Sequence, residues 1–222
     1  MDRLRAKYNS MSVETKAALW FAMCNFINKG IAMIVVPLYT RMLTTEEYGM
    51  YTVFQSWLNI FIIIATLEIS RGHYKVGITK YDEDVDNYTI SVLGLSNIVT
   101  ILFIVIYLCA IPVFNNLLEM PTYLVLSMFG YLLVYPAWEF WTIQQRFAYK
   151  YKTMVAATLA VAILSPVIGV AGIYLLNMQS DAAIFSKLLI QGVFALCIYV
   201  AFFRKSHTLF NKAYWKEAFI FN

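Results

Sequence analysis

The sequence has few charged residues for its length. Asp, Glu, Lys and Arg make up 14% of the 222 residues, whereas about 25% is usual in soluble globular domains. A water-soluble fold of this size needs polar residues to cover the surface that stays exposed. Because 61% of the residues are apolar, much of the folded surface is expected to lie against lipid rather than water.

Cysteine and histidine are also scarce, and their positions exclude several kinds of site. Cys24, Cys109 and Cys197 lie far apart, each inside an apolar stretch, which fits neither a zinc site nor a disulfide framework. His73 and His207 fall in polar segments, so an intramembrane serine–histidine pair is not expected. We therefore predict that the protein is not an enzyme and binds no metal or cofactor.

Long apolar segments dominate the rest of the sequence. A helix needs about 20 apolar residues to cross the hydrocarbon core of a bilayer. Strands of a membrane barrel would instead alternate in polarity over about ten residues, and runs such as 60–64 do not alternate. The sequence thus predicts an all-α integral membrane protein, a six-transmembrane-helix bundle. The predicted spans are 17–40, 48–67, 89–111 within the apolar stretch 87–118, 120–138, 153–176 and 182–203.

The distribution of basic residues predicts the orientation. Of the 17 Lys and Arg residues, 14 lie in the two terminal segments and in the loops after the second and fourth spans. Short loops rich in Lys and Arg stay in the cytoplasm, so both ends are expected there. The predicted organisation is a cytoplasmic tail over 1–16, a six-helix transmembrane lobe over 17–203, and a cytoplasmic segment over 204–222 that leads into a truncated seventh helix. The basic clusters are too short and scattered to indicate nucleic-acid binding.

The first span carries polar groups near its middle, and the second carries a central tryptophan. An ammonium group at the centre of a bilayer costs at least about 2.5–3.5 kcal/mol, so Lys29 needs either a carboxylate from another helix or a wet cavity. Both interpretations are open. Asn25 and Asn28 stand close to Lys29 along the helix, and Asn25 shares its face. Trp57 either packs in the core or offers a surface for stacking on a sugar.

One segment, residues 28–51, resembles a known family. A first motif closes the first span and a second motif opens the next one; they are Pro37-Leu38-Tyr39-Thr40-Arg41 and Leu43-Thr44-Thr45-Glu46-Glu47-Tyr48-Gly49. Together they resemble the first-loop signature of the polysaccharide flippases. These proteins carry O-antigen, capsule and teichuronic-acid repeat units and belong to the multidrug/oligosaccharidyl-lipid/polysaccharide exporter superfamily.

The resemblance implies one lobe of a transporter with 12 or 14 helices in the bacterial inner membrane. Its partners would be a polyprenyl-diphosphate-linked oligosaccharide, membrane lipids, and a missing C-terminal lobe or an oligomer partner. In this interpretation Lys29 and Arg41 offset the charge of the diphosphate, while Asn25 and Asn28 bond to sugar hydroxyls. Trp57 is the remaining candidate for the substrate-binding cavity.

Three other functions stay open from the sequence alone. A multidrug antiporter of the same superfamily would need an acidic site deep in the lobe, and the deep charge here is basic. A six-helix membrane enzyme, such as an acyl or glycosyl transferase, would need a histidine or aspartate on a membrane-facing loop. A structural membrane subunit that does not transport is the third alternative.

Overall fold

A computed structural model describes residues 8–67, 72–206 and 208–220. The first seven residues of the predicted N-terminal tail and His207 lie outside these ranges. The described residues form α-helices with one short 3-10 turn, and no strand occurs among them. The helices are α1 (Val13–Met42), α2 (Thr45–Ala65), α3 (His73–Lys80), α4 (Val85–Cys109), α5 (Ile111–Leu118), α6 (Thr122–Phe147), α7 (Tyr151–Leu176), α8 (Gln179–Lys205) and α9 (Lys212–Ile220).

Six of these helices, α1, α2, α4, α6, α7 and α8, are long and apolar enough to cross a membrane. Their outward faces expose large apolar side chains; on α1, Phe26 is 80% exposed and Met33 is 76% exposed. Such a surface is stable against lipid and not against water. The prediction of an all-α bundle with six membrane-spanning helices is confirmed.

Side-chain caps fix the corner between α1 and α2. Thr44 begins α2 with a capping box, in which the Glu47 backbone N–H donates to the Thr44 hydroxyl at 3.3 Å and the Thr44 N–H donates to the Glu47 carboxylate at 2.7 Å. Both bonds satisfy N–H groups that a helix start leaves without partners. The segment with the flippase-like motifs therefore forms a defined corner.

The third span ends close to its predicted boundary at residue 111, whereas the fourth runs well past its own. The third apolar segment is broken at Ala110, which leaves the helical conformation and separates α4 from α5; Pro112 then fits the first turn of α5, where its missing N–H costs least. The fourth span does not end near Trp138, because α6 continues to Phe147. Glu139 is tolerated inside α6 because it lines a polar pocket.

The bundle is organised around α8. This helix packs on α6 and α7 and also contacts α2, while α1 packs mainly on α7. Helices α1 and α2 make few contacts with each other. Short turns join α7 to α6 and to α8, and α6 and α8 therefore run in the same direction.

A cluster of paired polar groups closes the end of the bundle where α4 begins. The hydroxyls of Tyr74 and Thr89 are 2.6 Å apart, and the Gln144 amide donates to both, at 2.9 and 2.8 Å. Nearby, the Tyr214 hydroxyl donates to the Asp84 carboxylate at 2.6 Å. We call these five residues the paired cluster. They connect α3, α4, α6 and α9 at one end of the lobe.

The chain after α8 turns back along α4. The Asn211 backbone N–H donates to the Ser91 hydroxyl at 3.2 Å, and the Trp215 indole N–H donates to the Ser91 carbonyl at 2.9 Å. The Leu209 carbonyl approaches Gly94 so closely that a Cβ there would overlap it. We call this docked segment the tail clasp. It includes α9, within the stretch predicted to lead into a seventh helix.

Candidate functional site

A groove of about 470 Å³ opens between α1 and the α7–α8 pair. Its walls are mostly apolar and come from α1, α2, α6, α7 and α8. Lys187 is the charged side chain in the wall. Polar side chains are few, and they include Asn28, Ser165, Ser186 and Gln191. We call this cavity the main groove.

Lys187 brings a positive charge into the main groove. It stands eight residues after the start of α8, about 12 Å along the helix, within a segment long enough to span a membrane. Its ammonium group donates a hydrogen bond of 2.5 Å to the side-chain oxygen of Gln55 on α2. In the part of the chain that the structure describes, no carboxylate forms an ion pair with it. A charge at this depth is costly, and water or an anion that reaches it would offset the cost.

Three polar atoms in or beside the main groove find no hydrogen-bond partner within the described residues. They are Asn28 Oδ1, Gln55 Nε2 and Ser165 Oγ, and all three are buried. Leaving a buried polar group unpaired costs about 1–3 kcal/mol. A cavity with unpaired donors and acceptors therefore favours a polar occupant, either water or a ligand.

The central polar residues of α1 lie on two neighbouring faces. Asn28 is half-buried and lines the main groove, and its amide nitrogen lies 3.8 Å from the sulfur of Cys24. Asn25 and Lys29 are exposed. Ala32, three residues after Lys29, also lines the groove, so helical spacing places Lys29 beside its rim. No carboxylate of the described ranges pairs with Lys29, and its role stays a prediction.

The other two predicted binding residues lie outside the groove wall. Arg41 is exposed in the last turn of α1. Trp57 is half-buried and packs against the core, with its ring 6.2 Å from that of Phe61. Of the five predicted residues, Asn28 thus lines the groove, and the binding roles of all five stay predictions.

Sequence reasoning missed Lys187 as a groove residue, and with it the hydrogen-bond partner Gln55. The predicted last span, 182–203, places Lys187 near its start. The helix begins at Gln179, just after Asn177 ends α7 in a left-handed conformation with φ 50°. Asparagine is a known residue for such helix ends. This signal would have placed Lys187 deeper in the membrane.

A second cavity, also about 470 Å³, lies toward the end of α6. Lys75 from α3 and Glu139 and Arg146 from α6 provide its charged side chains. The Arg146 guanidinium also lies over the ring of Phe21 on α1, at 5.9 Å. Trp138 belongs to the walls of this cavity and of the main groove. We call this cavity the α3 pocket.

Comparison with known proteins identifies a matching family. A model of the family described as polysaccharide biosynthesis protein matches residues 15–222. No curated protein and no solved structure matches the chain. The family match includes the residues of both cavities and is therefore not limited to the motifs at 28–51.

Proposed function

Because the chain belongs to the polysaccharide biosynthesis protein family, we propose that it moves a polyprenyl-diphosphate-linked oligosaccharide across the bacterial inner membrane by alternating access. The protein is a multi-pass membrane protein with a role in polysaccharide biosynthesis; the substrate and the mechanism are the proposal. The observation that carries it is Lys187, an ammonium group in a groove between membrane-length helices with no carboxylate partner among the described residues.

The groove offers groups that suit each part of such a substrate. The Lys187 ammonium can form charge-assisted hydrogen bonds with a diphosphate. Asn28 and Ser165 have unpaired polar atoms, which match the hydroxyls of a sugar. The remaining walls are apolar and fit the isoprenoid chain next to the diphosphate. Carrying the lipid requires no bond to be formed or broken, so this function needs no catalytic residue.

The predicted residues around the groove have a place in the same proposal. Asn25 and Lys29 lie beside the rim and Arg41 lies at the end of α1, where they would meet a second lobe that closes the groove. That lobe would come from further chain or from a second copy. In this arrangement Lys29 and Arg41 add positive charge along the path, and Trp57 supports the α2 wall from the core.

The charge of the groove favours an anionic cargo over a cationic drug. A multidrug antiporter needs a carboxylate that binds the cation or a proton. Among the described residues that line the main groove there is no Asp or Glu. Lys187 would repel a cation and attract a diphosphate.

Replacement of Lys187 tests the proposal in cells whose surface polysaccharide depends on this protein. Lys187→Met is expected to lower display by about tenfold or more, since a hydrogen bond to a charged group is worth about 1.5–3 kcal/mol. Lipid-linked repeat units should then accumulate in the inner leaflet. Lys187→Arg keeps the charge and should retain most of the display. Lys150→Met, at an exposed lysine before α7, is the matched control; normal display with Lys187→Met would contradict the proposal.

The same assay measures the contribution of Lys29. Lys29→Ala is expected to impair display more than Lys29→Arg, because arginine preserves the positive charge at the groove rim. The effect should be smaller than that of Lys187→Met, since Lys29 is exposed and not part of the wall. Normal display in both Lys29 variants would remove this residue from the mechanism.

The proposed orientation has both ends of the chain in the cytoplasm, supported by the distribution of Lys and Arg. Single cysteines can test it in a chain whose native cysteines have been replaced. Glu46→Cys, in the corner between α1 and α2, should react with an impermeant thiol reagent in intact cells. Glu83→Cys, in the turn before α4, should react only after permeabilisation. The reverse pattern would overturn the orientation.

A further inference from the structure

The main groove and the α3 pocket meet at one side chain. Trp138 lies in the wall of both cavities. The other wall residues differ: the main groove is built from α1, α2, α7 and α8, and the α3 pocket from α3 and the last three turns of α6. Two cavities of similar volume thus adjoin at Trp138.

Positive charges flank this junction on opposite sides. Arg146 lies eight residues after Trp138 on α6, about 12 Å along the helix. On α8, the ring of Phe194 lies edge-on to Trp138 with centroids 6.1 Å apart, and Lys187 lies seven residues before Phe194, about 10 Å along α8. Because α6 and α8 run in the same direction, the two cations stand on either side of the indole.

The Trp138 side chain is held firmly at the junction. It is 7% exposed and packs with Val161 of α7 and Ala195 of α8. Its ring also lies 5.6 Å from that of Trp141, one turn further along α6. A large side chain packed by three helices leaves the junction only when those helices move relative to one another.

We propose that Trp138 is a barrier residue that divides the transport path into two successive anion-binding stations. The first station is the α3 pocket, with Lys75 and Arg146, and the second is the main groove, with Lys187. This inference rests on the proposed function, since it assigns the stations to the phosphate groups of the same cargo. Glu139 lowers the net positive charge of the α3 pocket and so weakens anion binding there relative to two unopposed cations. The indole separates the water of one station from that of the other.

Thiol labelling tests the barrier without requiring transport. In the full chain with Cys24, Cys109 and Cys197 replaced, single cysteines are placed in the two cavities, as Thr142→Cys in the α3 pocket and Ser165→Cys in the main groove. A sulfonated maleimide is applied to membrane vesicles from the side on which Arg146 lies. Thr142→Cys should react whether or not the indole is present. Ser165→Cys should react about tenfold faster in combination with Trp138→Ala, because the hole left by the indole joins the cavities.

A matched control and a graded series keep the test decisive. Trp141→Ala removes the same side chain from the same packing cluster, but Trp141 lines neither cavity, so labelling of Ser165→Cys should stay slow. If Trp138→Ala does not insert, Trp138→Phe and Trp138→Leu should raise the rate in the order of volume removed. Equal labelling of Ser165→Cys across this series, or an unreactive Thr142→Cys, would overturn the inference. Either result would leave the display assay for Lys187 as an independent test of transport.

Discussion

The paired cluster and the main groove are two polar regions of one largely apolar lobe, and they differ in whether their polar atoms have hydrogen-bond partners. In the paired cluster, Tyr74, Thr89 and Gln144 bond to one another at 2.6 to 2.9 Å. In the main groove, Asn28 and Ser165 keep buried oxygens without partners among the described residues. A complete network stabilises one arrangement, whereas unpaired groups are available to an occupant. We infer that the polar groups at one end of the lobe stabilise the fold, whereas those in the main groove are available for binding.

The largest change in stability is expected beside the paired cluster, where α3 packs tightly on α4. Gly77 on α3 lies against the ring of Tyr88, and a Cβ at this position would overlap the ring. Gly77→Ala should therefore lower the free energy of unfolding by about 1–3 kcal/mol, as overpacking does in other cores. The measurement is thermal unfolding of the purified protein in lipid nanodiscs. Gly49→Ala is the control, because no atom lies within 4 Å of its Cβ position; equal effects of the two changes would contradict the packing described for α3.

A smaller loss is expected from opening the hydrogen-bond network itself. Gln144→Leu removes the amide that donates to Tyr74 and Thr89 while keeping a side chain of similar size. The hydroxyls still bond to each other, so the cost should be about 1–2 kcal/mol. Thermal unfolding of Gln144→Leu, Thr89→Val and the double variant would give their coupling energy. Strict additivity of the two changes would show that these groups do not act as one network.

The main groove should respond differently to loss of a polar group. Lys187→Met removes the ammonium, and its effect on unfolding should stay within about 1 kcal/mol, because the lost bond to Gln55 is offset by removal of a charge from the membrane interior. Transport should nevertheless fall as described above. The same unfolding measurement checks this outcome against Gln144→Leu. A larger loss of stability from Lys187→Met than from Gln144→Leu would erase the distinction between the two regions.

The smallest expected effect is a dependence of the tail clasp on high pH. The hydrogen bond to the Asp84 carboxylate raises the pKa of Tyr214 to about 12. Because the folded pKa lies above the unfolded value of about 10, the stabilisation is complete below pH ~10 and is lost as the pH rises through about 12. The stability difference between the parent chain and Tyr214→Phe should therefore shrink over this interval. A difference that stays constant would show that the phenol does not donate to Asp84.

Hydropathy was sufficient to predict the fold because membrane spans are recognised by length and apolarity alone. The six spans, and the corner that carries the motifs at residues 28–51, could be placed in this way, and the family suggested by those motifs is confirmed by the match over residues 15–222. The ends of the spans were harder to predict. The charge of Glu139 indicates the end of the fourth span at residue 138, whereas α6 continues past it because Glu139 lines the α3 pocket.

The candidate site was less predictable, because it depends on helix rotation and packing. Asn28 and Lys29 are adjacent in sequence, yet one lines the groove and the other is exposed. Hydropathy does not distinguish these neighbouring faces. The bond between Lys187 and Gln55 joins residues 132 positions apart, and the junction at Trp138 requires three helices to be in place. Such long-range pairings cannot be read from a single sequence.

The tail clasp has a consequence for the order in which the lobe assembles. Its hydrogen bonds join Asn211 and Trp215 to Ser91. Ser91 lies 120 residues before Asn211 and 124 residues before Trp215. During synthesis α4 therefore enters the membrane long before these partners leave the ribosome. Until then the Ser91 hydroxyl lacks its final hydrogen-bond donor. The hydrogen bonds at this end of the bundle are therefore complete only after α9 has been made.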